Sequence, residues 1–310
     1  MSAILAEKHI IDFSLSACYA AMLNACVAMH GVMSIEQRKN TLIAGMESKT
    51  KKDGTNDMVQ DVTSESVARA CLKGFPVHGE ELGVMLTHPR YVVWIDPNDG
   101  TRGFQNGMAT SCGITALYDK IDEMCIACVV VEWSTGRVWM YTPEIEGTEV
   151  FYIEGKGFSE RRRVRVHDGG LGVGTTVFVD NFPNFKLKGS NSLTTMEKVT
   201  IYAKLFGGGI AQVMHTSTNA GHHVLVAQGG DGHNVPGAIT GCRGGPWDVA
   251  PALLVAKAGG VVRGFKRDEG SNHFVEVPAL AFEQHHFTVT ANNAETASVL
   301  TGVLTNGQIT

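Results

Sequence analysis

The feature that most restricts how this chain can fold is an apolar run that ends in two closely spaced carboxylates. The run Tyr91–Ile95 is followed directly by Asp96-Pro97-Asn98-Asp99-Gly100-Thr101. A short unbroken apolar run predicts a buried strand, so the two aspartates should stand where a strand ends and a loop begins. Pro97 fixes one φ angle between them. We therefore expect both carboxylates to be held close together at the edge of a core.

The chemistry of this hexapeptide favours a bound cation and a phosphate. Two close carboxylates repel each other unless a proton or a cation lies between them. Mg²⁺ prefers oxygen ligands and usually keeps water and substrate phosphate in its coordination shell. Gly100 allows the backbone to approach a ligand closely, and Thr101 adds a hydroxyl and a backbone N–H. The hexapeptide therefore predicts a site for Mg²⁺ and phosphate.

Length and composition exclude several classes of protein. The chain has 310 residues, of which 44% are hydrophobic and 18% charged, enough to bury a large core. A net charge of −5 gives no reason to expect nucleic acid or an anionic membrane as the main partner. No apolar run approaches the roughly 20 residues that span a bilayer, and the N-terminus lacks the pattern of a signal peptide. We expect a cytoplasmic protein with neither a membrane nor a nucleic-acid partner.

The seven cysteines predict reduced thiols. Their number is odd and they are scattered through apolar surroundings, which argues against a disulfide framework. Cys125 and Cys128 form a CxxC pair inside a predicted core strand, and no second pair completes a zinc site. We interpret both as core residues.

Hydrophobic patterning predicts two lobes, residues 1–170 and 171–310. In the first, helices are expected at 3–30, 34–46 and 64–72, and strands at 91–95, 110–118, 124–133, 137–141, 151–153 and 163–166. In the second, strands and helices alternate, with strands at 176–179, 210–214, 261–264 and 286–291 and helices near 193–206, 217–228, 246–259 and 293–304. We expect an α+β lobe with a helix pair over an antiparallel sheet, joined to an α/β lobe.

Two further segments carry acidic residues at the ends of predicted elements. Gly79-Glu80-Glu81 precedes the apolar run, and Trp247-Asp248 opens a predicted helix that ends at Gly259-Gly260. Each has a plainer explanation alone: a solvated acidic turn, or an aspartate that interacts well with a helix dipole. Together with the hexapeptide they supply four carboxylates from three separate segments, which a cleft would bring together.

These three motifs, in this order and at these approximate spacings, resemble those of the Mg²⁺-dependent, lithium-sensitive phosphatases typified by inositol monophosphatase. That family also includes bisphosphate nucleotidases and relatives of fructose-1,6-bisphosphatase. The resemblance covers residues 45–300. It implies a layered α/β/α/β/α sandwich, two or three Mg²⁺ per site, a small phosphorylated metabolite as substrate, and a homodimer.

The resemblance also implies metal ligands. Glu80, Asp96 and the backbone carbonyl of Asn98 would bind the first ion. Asp96, Asp99 and Asp248 would bind a second, and Glu80 would hold a third through water.

Catalytic and substrate-binding residues follow in the same way. The N–H groups of Gly100 and Thr101 would bind phosphate oxygens, and the Thr101 hydroxyl would position the attacking water, so that Thr101, Glu80 and Asp99 form the catalytic group. Further candidates for contact with the phosphate or the substrate are Asp248, Ser217, Thr218 and Asn219.

Three departures from the family pattern leave questions open. The family pairs its motif threonine with an aspartate, but Thr63 or Ser64 stands at that place, leaving Asp61 or Glu65 as the partner of Thr101. Asn98 replaces a residue that is usually aliphatic.

The third departure concerns the substrate, because the glycine-rich segment 229–245 is longer than expected and lacks the acidic residue that contacts inositol. Our first prediction is a Mg²⁺-dependent phosphomonoesterase acting on a polyol or sugar phosphate. A 3′(2′),5′-bisphosphate nucleotidase is the alternative, and a non-catalytic binding protein with this fold is the second alternative.

Overall fold

The structure, a computed structural model, describes residues 13–40, 48–50, 56–105, 107–180, 195–210, 212–216, 218–242, 244–268 and 273–305. Its helices are α1 (Leu15–Asn40), α2 (Val59–Cys71), α3 (Thr101–Gln105), α4 (Thr195–Gly207), α5 (Asn219–Ala227), α6 (Ala252–Lys257) and α7 (Ala294–Thr305). Single 3-10 turns are found at Gly229–Asp231, Pro246–Asp248 and Phe282–Gln284.

The strands are short, and most belong to two sheets. They are β1 (Ser48–Thr50), β2 (Asn56–Met58), β3 (Val77–Gly79), β4 (Gly83–Val84), β5 (Tyr91–Asp99), β6 (Cys112–Asp119), β7 (Met124–Glu132), β8 (Arg137–Tyr141), β9 (Glu149–Glu154), β10 (Gly157–Phe158), β11 (Arg162–Arg163), β12 (Thr176–Val179), β13 (Gln212–Met214), β14 (Gly237–Gly241), β15 (Val261–Arg267), β16 (Phe274–Val277) and β17 (Phe287–Ala291).

These elements stack in five layers. Helices α1 and α2 pack on a sheet of order β10-β9-β8-β7-β6-β5-β3-β4, in which β11 also pairs with β9. Helices α5 and α6 lie between this sheet and a second one of order β13-β12-β14-β17-β15-β16, and α4 and α7 pack on the second sheet. Strands β1 and β2 form a separate antiparallel pair. The expected α/β/α/β/α sandwich is confirmed.

The first sheet is covered on both faces, which explains its unbroken apolar strands. Successive side chains of a strand point to opposite faces. Accordingly Val93 and Ile95 belong to the core beneath α1 and α2, whereas Trp94 belongs to the core shared with α5 and α6. Cys125 and Cys128 are buried in the second of these cores. All seven cysteines are free thiols, as expected.

The expected break between a helix at 3–30 and another at 34–46 is wrong, while residues 3–12 and 41–46 of these predictions lie outside the described residues. Within the described residues, a single helix, α1, passes through Gly31 without a break. Its buried side includes Cys18, Met22, Met29 and Met33. Burial of these side chains outweighs the cost of one interior glycine, about 1 kcal/mol.

Helix α1 also corrects the expectation that no apolar segment is long enough to span a bilayer. The stretch Leu15–Glu36 has the length and composition to cross a membrane. Four of its side chains, named above, are instead fully buried against the rest of the protein. A helix of this length and hydrophobicity can thus be the core helix of a layered domain.

Other boundaries shift by a few residues. Helix α2 begins at Val59 rather than 64, and the helix expected from 246 divides into the 3-10 turn Pro246–Asp248 and α6. Seven strands were not expected: β1, β2, β3, β4, β10, β14 and β16. All are two to five residues long, which leaves little periodic signal. The division into lobes at 170 stays a prediction.

Candidate metal and phosphate site

The hexapeptide begins inside strand β5 and runs into helix α3. Asp96 pairs with Ile114 of β6 and Asp99 with Cys112, and the register shifts between these pairs. The expected end of the strand at Ile95 is therefore wrong, because a bulge carries the strand through Pro97, which has no N–H to give to the ladder. Gly100 has φ +94°, a conformation that favours glycine. The bulge at Pro97 and the turn at Gly100 together direct both aspartates to one side of the strand end.

Three carboxylates from two distant segments meet at this point. Asp96, Asp99 and Asp248 each offer an oxygen, and these oxygens all lie within 4.8 Å of one another. The Gly244 N–H fixes Asp248 by donating to Oδ2 at 2.7 Å. Two oxygens bound to one Mg²⁺ lie at most about 4.2 Å apart, so a small contraction is enough for the three to share ions.

Glu80 faces the same space from the end of β3. Its N–H donates to the Ile95 carbonyl at 3.0 Å, which fixes it beside β5. A Cβ at Gly244 would lie 3.5 Å from Glu80 Oε1 and 3.8 Å from Asp248 Oδ1. Glycine at this position therefore keeps open the space between the two carboxylates.

Burial and mutual repulsion disfavour ionisation of this cluster. Burial raises the pKa of Asp96 well above its usual range, and the charges of Glu80, Asp99 and Asp248 raise it further. Burial, followed by the charge of Asp248, raises the pKa of Asp99 from 3.8 to about 7. A divalent cation would relieve both effects. The donors gathered here are carboxylate oxygens, as Mg²⁺ prefers, so the residues fit the predicted ion.

Asp99 is fixed by residues at the start of α5. Its Oδ2 accepts hydrogen bonds from Thr218 Oγ1 at 2.6 Å and from the Ala220 N–H at 2.5 Å. Thr218 Oγ1 also accepts from the Gly221 N–H and so caps the helix. Thr218 therefore supports Asp99 as well as α5, while Ser217 lies outside the described residues.

The partner of Thr101 is Asp61. Thr101 Oγ1 lies 3.4 Å from Asp61 Oδ2 and 2.9 Å from the Asn98 carbonyl oxygen. Asp61 reaches this position from the first turn of α2. Thr63 is exposed and donates to the Val59 carbonyl, and the buried Ser64 hydroxyl finds no partner within the described part of the chain.

Glu65, the other open alternative, supports the Glu80 segment instead. Its fully buried carboxylate accepts the N–H groups of Glu81 at 2.7 Å and Leu82 at 3.2 Å. Arg69 pairs with it at 2.5 Å. A Cβ at Gly79 would lie 2.0 Å from Glu65 Oε1. Gly79 therefore permits the contact that shapes the chain around Glu80.

A cavity of about 170 Å³ opens beside the carboxylates. It is lined by Asp99, Gly100, Thr101, Arg102, Asp180, Asn219 and Asp248. Five of these were candidates from sequence, and their roles in binding stay predictions. Arg102 and Asp180 were missed. Asp180 directly follows β12, which is parallel to β14, and ligands of α/β sheets bind at such carboxyl ends, so the strand pattern held a signal for it.

Two buried histidines of α5, His222 and His223, face away from solvent inside the protein. His223 contacts the hydroxyls of Thr290 and Thr240 through its two ring nitrogens. Burial lowers the pKa of His223 to about 3 and that of His222 well below its usual range. Both rings are therefore neutral at physiological pH.

Comparison with known proteins supports the fold through solved structures, whereas comparison of sequences identifies no family. No protein-family model matches the chain, and no curated protein matches it in sequence. Solved structures do match. The extragenic suppressor protein SuhB from Bartonella henselae has a TM-score of 0.68 at 16% identity, covering 92% of this chain and 97% of its own.

Two further structures agree. An inositol monophosphatase–fructose 1,6-bisphosphatase gives a TM-score of 0.65 at 17% identity, covering 94% of this chain and 100% of its own. The Thermotoga maritima IMPase gives 0.62 at 16% identity, covering 89% and 96%. The chain therefore has the inositol monophosphatase fold over nearly its whole length.

Proposed function

We propose that this protein is a Mg²⁺-dependent phosphatase that hydrolyses the phosphomonoester of a small polyol or sugar. The observation that carries the proposal is the convergence of Asp96, Asp99 and Asp248 within 4.8 Å. Burying several carboxylates together is costly unless protons or cations compensate. The cluster borders a cavity with room for a phosphate group. Cation binding explains an arrangement that would otherwise only destabilise the fold.

The carboxylates would divide between the ions as the family resemblance implies. Glu80, Asp96 and the Asn98 carbonyl would hold one ion, and Asp96, Asp99 and Asp248 another. Bound Mg²⁺ supplies charge neutralisation and a lowered pKa for water. Gly100 and Thr101 line the same cavity, and their N–H groups would hold phosphate oxygens, since phosphoryl transfer depends chiefly on positioning and electrostatics.

Thr101 would orient the attacking water. Its hydroxyl has a single proton, and both nearby oxygens, Asn98 O at 2.9 Å and Asp61 Oδ2 at 3.4 Å, are acceptors. A hydroxyl that donates to either of them must accept from water. The water would thereby turn a lone pair toward phosphorus, which is the positioning that an in-line displacement requires.

Phosphate release from a panel of inositol, sugar and nucleotide phosphates, with and without Mg²⁺, tests the proposal. We expect Mg²⁺-dependent release from a polyol or sugar phosphate. Release confined to 3′(2′),5′-bisphosphate nucleotides would favour the nucleotidase. No release from any member, despite Mg²⁺ binding, would favour a binding protein. Homodimer formation, also a proposal, is measured by light scattering.

A further inference from the structure

The side chain of Asn98 is held by buried partners on two sides. Trp133 Nε1 donates to Asn98 Oδ1 at 3.1 Å, and Asn98 Nδ2 donates to Asp61 Oδ1 at 3.0 Å. The exposed fractions of Asp61, Asn98 and Trp133 are 1%, 2% and 1%. The other Asp61 oxygen faces Thr101 Oγ1. A continuous chain of contacts thus runs from a tryptophan in the core to the hydroxyl of Thr101, a residue that lines the cavity.

The indole determines which way the amide points. Tryptophan Nε1 is a donor only, so the Asn98 atom that faces it must be the oxygen. The amide nitrogen then faces Asp61, where a carboxylate needs a donor. Gly113 makes room for this arrangement, because a Cβ there would lie 2.1 Å from Trp133 Cη2. The orientation of Asn98 is therefore set by the surrounding core.

We propose that Asn98 is a positioning residue of the phosphatase reaction: Trp133 fixes its amide, and the amide fixes the Asp61 carboxylate so that one oxygen faces Thr101. This inference rests on the proposed function. A carboxylate has a broad, weakly restricted terminal torsion. The Asn98 donor on Oδ1 holds Oδ2 toward the hydroxyl, which an aliphatic side chain at position 98 cannot do.

The contact chain is tested first without any assay of activity. The four tryptophans give indole N–H signals in ¹H–¹⁵N NMR spectra, and Trp133→Phe identifies the one from Trp133. We expect Asn98→Leu to move this signal by removing its acceptor. Asp61→Ala should also move it, although Asp61 touches Trp133 only through Asn98. A signal that is unchanged in Asp61→Ala would overturn the coupling.

Kinetics test the role in catalysis. Asn98→Leu should lower kcat by about 10- to 100-fold, the usual effect of losing a residue that orients a group at the site, with KM changed less than about twofold. Its backbone carbonyl remains, so Mg²⁺ affinity measured by calorimetry should stay near the wild-type value. In an Asp61→Ala background the same substitution should cause little further loss. Equal fold-losses in both backgrounds would show a merely structural role.

Trp139 offers a matched control. Its Nε1 donates to Gln228 Oε1, also at 3.1 Å and also buried, away from the carboxylates. Trp133→Phe and Trp139→Phe remove equivalent bonds, but only the first should lower kcat. Trp133→Phe also replaces Asn98→Leu if the latter does not fold. Equal kcat in the two tryptophan variants would refute the inference.

The inference and the proposed function fail in different ways. A wild-type protein that releases no phosphate contradicts the function, and the NMR coupling still tests the geometry. An active wild type whose Asn98→Leu variant keeps full kcat overturns the role of Asn98 alone.

Discussion

Asp99 and Thr218 lie 119 residues apart in sequence and are joined by a hydrogen bond of 2.6 Å. This bond ties the end of β5, in the first sheet, to the start of α5, between the sheets. The single hydroxyl of Thr218 thus supports both Asp99 and the first turn of α5. The assembly of the site therefore depends on how the layers pack.

Replacing Thr218 with valine should lower both activity and stability. The variant removes one donor to Asp99 and the cap of α5, and loss of such a cap costs about 1 kcal/mol in the free energy of unfolding. We expect kcat to fall about 10-fold or more. Thr148→Val is the control, because that buried hydroxyl donates to the Leu254 carbonyl away from the site. Its stability should fall while kcat is unchanged; the same kcat in both variants would contradict the role of Thr218.

Asp99→Asn should abolish turnover and leave the fold intact. The amide oxygen can still accept from Thr218 and Ala220, but the negative charge is lost. We expect kcat to fall by more than about 100-fold, with an unchanged near-ultraviolet circular dichroism spectrum. Near-normal activity in this variant would refute the assignment of the metal ligands.

The contribution of Asp99 to the stability of the metal-free protein should fall as pH rises from about 4 to about 7. The pKa of Asp99 is near 7 in the folded protein and near 4 in the unfolded chain, so the folded state binds more protons between these values. The slope for one such group is at most about 1.4 kcal/mol per pH unit. Chemical unfolding in EDTA at several pH values gives this slope as the difference between wild type and Asp99→Asn. The contributions of the buried histidines are the same in both proteins and cancel in the difference.

Mg²⁺ should reverse this loss at pH 8, where the carboxylates are ionised. An ion that binds the folded state at 100 times its dissociation constant adds about 2.7 kcal/mol to the free energy of unfolding. Asp99→Asn should gain less. Identical pH dependence in the two proteins, with no effect of Mg²⁺ on either, would contradict a cation site.

Gly79→Ala should disrupt the Glu80 segment. The new methyl group would overlap the Glu65 carboxylate, which holds the N–H groups of Glu81 and Leu82. We expect lower stability and weaker Mg²⁺ binding in calorimetry. Gly31→Ala is the control, because nothing lies within 4 Å of that Cβ and an interior helical glycine costs about 1 kcal/mol relative to alanine. Gly31→Ala should stabilise the protein and leave Mg²⁺ binding unchanged. Wild-type Mg²⁺ affinity in Gly79→Ala would refute the role of Glu65 in shaping the chain around Glu80.

Strand periodicity and motif chemistry were readable from local sequence. The strand before Asp96 and the strands at 112–119 and 124–132 follow from apolar runs, because burial on both faces leaves a continuous local pattern. Where β5 ends was not readable, since the bulge at Pro97 depends on its pairing with β6.

The residues by themselves determined that Asp96 and Asp99 stand together after a buried strand, because three positions of backbone keep them close. Only the tertiary structure decided that Asp248 joins them, that Asp61 and not Glu65 faces Thr101, and that Asn98 links Asp61 to Trp133. Those contacts join segments between 35 and more than 100 positions apart. They arise from the packing of α2, β5 and the end of β7 with the turn at Asp248, and no local period or propensity encodes how such elements meet.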